Sequence, residues 1–403
     1  MRTGRTLDRP TEQQGRQMLA IATVGYLLSA WAWALLAPLA PLLRETLGLT
    51  AVQQAMIVSI PVVVGSLGRV PVGALTDRLG ARVMFLLVAG VSIAALLALT
   101  TVVHRSVAGL MIGAGLLGVA GTMFAVAVPF VSAGFAGTRR GLALGVLGTG
   151  LCGGAIAGLT TVRLTEGFGV AAPFVVASVA MGLFATLIVV TVPDVPRSTA
   201  PDEELRGRFT AALRLPITRR GILWNAVTSA LFVAFSSYLP SYLTNAYGLA
   251  LDRTGYAMAG FIIVAVLMRP LGGWLADRLS PRRPLIASLA VLAVAATAQA
   301  FTPPLTLVMT VLLPTLAVAL GIASGAVLAQ VAAVAPPAMI GRVSGMVSGI
   351  AGLAGFASPL LMAVSISRYG GYGPALGLLA TGAAVAALSA VTGTRTGSAV
   401  HLR

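Results

Sequence analysis

Apolar residues run along this chain in long stretches, with polar residues gathered into short gaps between them. A helix needs about 20 apolar residues to cross the hydrocarbon core of a bilayer. Twelve stretches have that character: 17–43, 52–76, 83–103, 107–132, 141–162, 170–192, 220–247, 255–276, 284–303, 305–334, 341–366 and 373–394. Backbone groups in lipid must satisfy one another, and continuous runs of this length predict helices rather than barrel strands. One long polar interval, 193–219, carries Pro193, Pro196 and Pro201, an acidic patch from Asp202 to Glu204, and a run of arginines from Arg206 towards Arg220. It divides the chain into an N-terminal half, 1–192, a cytoplasmic linker, and a C-terminal half, 220–403, each with six predicted spans. The polar, basic segment from Met1 to Arg16 precedes an apolar run of about 25 residues, too long for a signal-peptide core, so the first span is expected to be retained.

Composition agrees with this pattern. Of 403 residues, 57% are hydrophobic and only 9% charged, where a soluble domain carries about 25% charged residues. Mean hydropathy is +0.95. The expected fold is an all-α integral membrane protein. All 27 basic residues are arginine, and against 11 acids they leave a formal charge of +16. They sit in short loops and form no basic stripe interleaved with aromatics, so no nucleic-acid partner is expected. Cys152 is the single cysteine, which rules out an intrachain disulfide. Twenty arginines fall on the side of the termini and five, Arg44, Arg105, Arg163, Arg253 and Arg368, on the other. Cytoplasmic loops carry the excess of arginine, so both termini are expected in the cytoplasm, in a multi-pass protein of the inner (plasma) membrane.

The two remaining arginines, Arg69 and Arg269, lie inside apolar runs, 200 positions apart. The same shift carries Gly73 onto Gly273, Asp77 onto Asp277, Arg78 onto Arg278, Arg82 onto Arg282, Gly141 onto Gly341 and Gly145 onto Gly345. A repeat of six spans runs parallel to its copy, with a site near the midplane between the halves. Each arginine precedes its aspartate by 8 positions. At about 1.5 Å per residue that is about 12 Å from the helix end, close to the centre of a roughly 30 Å core. A charge at that depth costs about 2.5–3.5 kcal/mol even on lenient scales. A guanidinium stays charged and presents a planar fork of donors suited to a small oxyanion. All 11 acids fall in tails, loops or span ends, and His104 and His401 are peripheral too. Two unneutralised cations imply an anion from outside the chain. A path without Asp, Glu or His points to exchange of anions rather than a proton relay. Arginines that snorkel, or that hold carbonyls where the halves meet, are the structural alternative.

The run Gly73-Ala-Leu-Thr-Asp77-Arg78-Leu-Gly80-Ala-Arg82 closes the second span, and Gly273-Trp-Leu-Ala-Asp277-Arg278-Leu-Ser-Pro-Arg282 closes the eighth. This duplicated run resembles the signature loop of the major facilitator superfamily. The resemblance implies twelve helices in two parallel six-helix halves, with Asp77, Arg78, Arg82, Asp277, Arg278 and Arg282 as a latch that gates the cytoplasmic face. Glycines dominate the fifth span, from Gly141 through Gly145 and Gly148 to Gly158, and the eleventh, from Gly341 to Gly355. Spacings of three and four place them on one helix face, where they allow tight packing and are compatible with backbone, as at Gly148, bordering a cavity.

A narrower likeness covers nearly the whole chain. Gly121-Thr-Met-Phe124-Ala-Val-Ala-Val-Pro-Phe-Val-Ser132, the glycine runs from Gly145 and Gly341, Phe232 to Pro240, and Ala265 to Asp277 are similar to the nitrate/nitrite porter family. That resemblance implies that Arg69 and Arg269 grip the anion and that Phe124 lies against it. Three positions depart from the family pattern: Leu151 stands where Asn is usual, Ser229 where an aromatic is usual, and Asn225 where tyrosine is usual. Asn225 and Ser229 are neighbours on one helix face and could supply polar contacts instead. The expectation is alternating-access transport of nitrate and nitrite by a monomer that needs only the anion and the lipid bilayer as partners. A porter for another anion such as cyanate is the alternative, and an anion sensor a lesser one, since no segment is long enough for an output domain. No nucleophile–base pair, acid cluster or metal-ligand spacing lies at depth, so neither enzymatic activity nor a cofactor is expected.

Overall fold

The computed structural model describes residues 11–102, 106–135, 139–193, 210–249 and 251–392. Twelve helices in it are long and apolar enough to cross a membrane: α1 Glu12–Ala40, α2 Met56–Leu79, α3 Ala81–Thr101, α4 Val107–Gly134, α5 Arg140–Phe168, α6 Ala172–Thr191, α7 Pro216–Tyr247, α8 Tyr256–Leu279, α9 Arg282–Ala300, α10 Leu305–Val334, α11 Pro337–Tyr369 and α12 Gly373–Thr392. Every sequence-read span finds its helix. The ends differ where polar residues extend a helix. Thr11 caps α1, accepting from the Gln14 amide while the Gln14 side chain reaches back to the Thr11 amide, which satisfies two orphan donors and starts the helix at Glu12. The seventh helix begins at Pro216, inside the interval read as linker, because proline's fixed φ suits the first turn of a helix. The acidic patch Asp202–Glu204, Arg206, Arg105 and both terminal tails lie outside the described residues.

Within each half the outer pairs, α3 with α6 and α9 with α12, pack on each other. They turn large apolar side chains outward, among them Val190, 77% exposed, and Val294, 72% exposed, as a lipid-facing surface requires. The halves meet along two seams, α2 against α11 and α8 against α5, and both are built by the glycines. A Cβ on Gly345 would stand 2.5 Å from the Arg69 carbonyl oxygen, and one on Gly145 2.5 Å from that of Arg269. Gly73 faces the Gly341 carbonyl, and Gly273 that of Gly141, with no room for a side chain. The two seams are therefore the same contact made twice, related by the internal repeat.

Three inner helices depart from regular α geometry near mid-length. In α4 and α5 the turns Val119–Thr122 and Thr149–Cys152 tighten to 3-10 form. Thr122 and Thr149 each return a hydroxyl bond to the carbonyl three residues back, at 2.6 and 2.7 Å, a bond that competes with the helix ladder and bends it. In α8 the helix breaks at Met268, because Pro270 has no N–H to continue the ladder. Its counterpart α2 carries Pro71 without a break.

Gly345→Val forces the α2–α11 seam apart and is expected to destabilise the protein by about 1–3 kcal/mol, the usual cost of overpacking. Gly377→Val, where a Cβ meets nothing within 4 Å, serves as the control. Thermal midpoints in detergent measure both; equal midpoints for the two variants would contradict the seam.

Candidate functional site

Between the halves lies a cavity of about 490 Å³, lined by α1, α2, α4, α5, α7, α8, α10 and α11. Arg69 and Arg269 both border it, and both are half-buried. Arg69 donates from Nε to the Gly121 carbonyl at 2.9 Å and from Nη1 to the Ser348 carbonyl at 3.4 Å. Arg269 donates from Nη1 to the Gly148 carbonyl at 3.0 Å. Ser348 and Gly148 are themselves 200 positions apart, so each arginine reaches across its seam to the equivalent carbonyl of the opposite half. The 3-10 turns of α4 and α5 adjoin Gly121 and Gly148 and leave these carbonyls available. The symmetry stops at Nε: that of Arg269 is buried without a partner. Among the described residues neither guanidinium pairs with a carboxylate. An arginine has five N–H donors, so after these bonds both forks keep donors for a guest.

Aromatic faces flank each charge. The Arg69 guanidinium lies 5.7 Å from the ring centroid of Phe124, and that of Arg269 5.7 Å from Phe232, within the range of cation–π attraction. Tyr26 packs on Phe124 with centroids 4.9 Å apart. Asn225 and Ser229 line the same wall on α7, and Asn225 Nδ2 donates to the Val347 carbonyl at 3.3 Å. Trp33, Ser59 and Pro359 carry the lining towards the membrane side opposite the termini.

On the side of the termini the cavity is shut. Asp77 accepts from the amides of Gly341 and Arg342, both at 3.0 Å, and Asp277 from those of Gly141 and Leu142 at 2.8 and 2.7 Å. A carboxylate at a helix N-terminus meets unsatisfied N–H groups and the positive end of the helix dipole. These bonds cross from α2 to α11 and from α8 to α5, and so join the halves. Arg342, only 3% exposed, places Nη1 3.9 Å from Asp77 Oδ2.

A sequence profile of the Major Facilitator Superfamily matches residues 22–359. The probable nitrate/nitrite transporter NarK2 of Mycobacterium tuberculosis (strain ATCC 25618 / H37Rv) is 39% identical over 345 residues, covering 85% of this chain and 87% of that protein. The nitrite extrusion protein of Bacillus subtilis (strain 168) is 29% identical over 371 residues, 90% of each chain. The chain belongs to the major facilitator superfamily, in its nitrate/nitrite porter family. It is a membrane transporter and not an enzyme. The human organic anion transporter MFSD10 (TETRAN) superposes with a TM-score of 0.78 at 17% identity, over 93% of this chain and 99% of that one. The transporter FucP in its outward conformation gives 0.74 at 18% identity, over 93% and 98%. Both show the shared fold.

In this transporter the residues read from sequence as substrate contacts, Arg69, Arg269, Phe124, Asn225 and Ser229, border one cavity, while Gly148 stands behind Arg269 and offers it a carbonyl. The six latch positions divide. The two aspartates bridge the halves. Arg82 instead donates to the Val189 carbonyl at the end of α6, 2.9 Å away, and Arg282 to those of Ala390 and Val391 at the end of α12. Arg278 stacks on Trp274 at 4.5 Å, and Arg78 is half-buried beside Asp77. These arginine contacts brace single halves, since C-terminal carbonyls attract cations. Sequence reading passed over Tyr26, Phe232, Ser348 and Arg342. The repeat pointed to Ser348, as the image of Gly148, whereas Arg342 looked like one more loop arginine.

Asp77→Asn keeps the shape of the latch but removes its charge, which weakens bonds worth about 1.5–3 kcal/mol with a charged acceptor. In a Cys152→Ser background, a cysteine replacing the buried Ser344 is expected to react with a thiol reagent about tenfold faster when Asp77→Asn is added. An unchanged labelling rate would contradict the latch.

Proposed function

We propose that this transporter carries nitrate and nitrite, exchanging one for the other by alternating access, with Arg69 and Arg269 as the anion clamp. The observation that carries this reading is one cavity holding two guanidiniums, neither neutralised by a carboxylate among the described residues. Phe124 and Phe232 would pack against the faces of a planar ion, and Asn225 and Ser229 would complete the wall. Asp77 and Asp277 would hold the side of the termini closed in the state described, with Arg82 and Arg282 bracing the ends of α6 and α12 and with Arg78 and Arg278 next to the two aspartates in the chain. The bias of arginines towards the termini supports a cytoplasmic location for that side, which makes this state outward-facing. Exchange is supported by the lack of titratable acids along the path and by a relative in Thermus thermophilus, 30% identical over 289 residues, described as a probable nitrate/nitrite antiporter. Asn225 and Ser229, in place of bulkier aromatics, favour a second reading in which a different small anion such as cyanate is carried.

In proteoliposomes preloaded with nitrite, external nitrate is expected to drive exchange, and cyanate to compete weakly. Arg69→Lys or Arg269→Lys keeps the charge but loses the fork. Each is expected to cut nitrate flux about a hundredfold, the effect of roughly 2–3 kcal/mol of charged hydrogen bonding. Flux at the wild-type level in either variant removes the clamp, and cyanate outcompeting nitrate selects the second reading.

A further inference from the structure

Tyr26 is a polar residue of the cavity that the clamp does not use. It is only 5% exposed and lines the cavity from α1. Its ring is held on one side by Phe124, 4.9 Å away, and on another by α5, where a Cβ on Gly150 would stand 2.7 Å from Cδ1. The phenol lies within electrostatic reach of both guanidiniums. Among the described residues nothing takes its hydrogen bond. Tyr242, a buried tyrosine outside the cavity, shows the usual arrangement: its hydroxyl donates to Gln299 Oε1 at 2.9 Å. Phenolic O–H groups in apolar surroundings normally find a partner. The repeat also matters, because the position equivalent to Tyr26 is Ala226. The cavity therefore has a charged donor from each half, the two arginines, and a phenol on the N-terminal half that the C-terminal half lacks.

Such a set is three-cornered. A planar anion with three oxygens can offer one to each arginine and the third to the phenol. A bent anion with two oxygens satisfies the arginines and leaves the phenol with no equivalent acceptor. We propose that Tyr26 is a specificity-determining residue, donating its phenolic hydrogen to the third oxygen of nitrate and so favouring nitrate over nitrite. This rests on the reading of Arg69 and Arg269 as the clamp.

The test is Tyr26→Phe, which keeps the ring against Phe124 and removes only the hydroxyl. KM and Vmax for nitrate and for nitrite are measured in proteoliposomes, with Arg69→Lys and Arg269→Lys alongside. Loss of one hydrogen bond to a charged acceptor is expected to raise KM for nitrate about tenfold, with KM for nitrite and both Vmax values within about twofold. In detergent, nitrate is expected to raise the thermal midpoint of the wild type more than nitrite does, and Tyr26→Phe to erase that difference. This second readout holds even if reconstitution of the variant fails. An unchanged nitrate KM, an equal rise for both anions, or a midpoint difference that survives the substitution overturns the role of Tyr26 while leaving the clamp standing. Wild-type flux in either lysine variant overturns the clamp, and with it the basis for a third corner.

Discussion

The arrangement rests on two guanidiniums to which the described residues offer backbone carbonyls and no carboxylate. Charge at that depth is expensive, and partial hydrogen bonding to Gly121, Ser348 and Gly148 lowers the cost without cancelling the charge. A carboxylate partner would have made the site neutral and indifferent to anions. Carbonyls hold the side chains in position and leave their charge in place.

Much of the surrounding architecture follows from bringing those carbonyls into place. The 3-10 turns in α4 and α5 sit beside Gly121 and Gly148, and the seams must be close enough for an arginine on one half to reach backbone on the other. Glycine makes that approach feasible: the carbonyls of Arg69 and Arg269 lie against Gly345 and Gly145, where even a methyl group would collide. The same helices end in Asp77 and Asp277, whose carboxylates cap α11 and α5. Cavity arginine, seam glycine and bridging aspartate thus occupy successive turns of α2 and again of α8.

The sequence was most informative where a physical penalty had to be met. Apolar length marked all twelve helices, and the depth of Arg69 and Arg269 marked the place of the cavity between the halves. The repeat located the latch aspartates and, in retrospect, the carbonyl of Ser348. Partnerships set by three-dimensional approach left no such trace. Arg82 and Arg282 read as gate residues because the duplicated run resembles the superfamily's signature loop; the bonds they make, to helix ends within their own halves, were not legible there. Tyr26 reads as a tyrosine in an apolar span; only its neighbours reveal that its hydroxyl faces a cavity. Phe232 faces Arg269 at a position that the departures at Asn225 and Ser229 did not foretell.

Because each arginine belongs to one half but bonds to backbone of the other, separating those helices strips N–H groups of their acceptors. For an empty carrier the loss goes uncompensated, and a charged donor left bare costs about 1–3 kcal/mol or more. A bound anion would supply substitute acceptors at that moment and lower the barrier. Return of the vacant protein would then be the slow leg of the cycle, so that traffic in one direction is kinetically tied to traffic in the other, with no side chain needed to ferry protons.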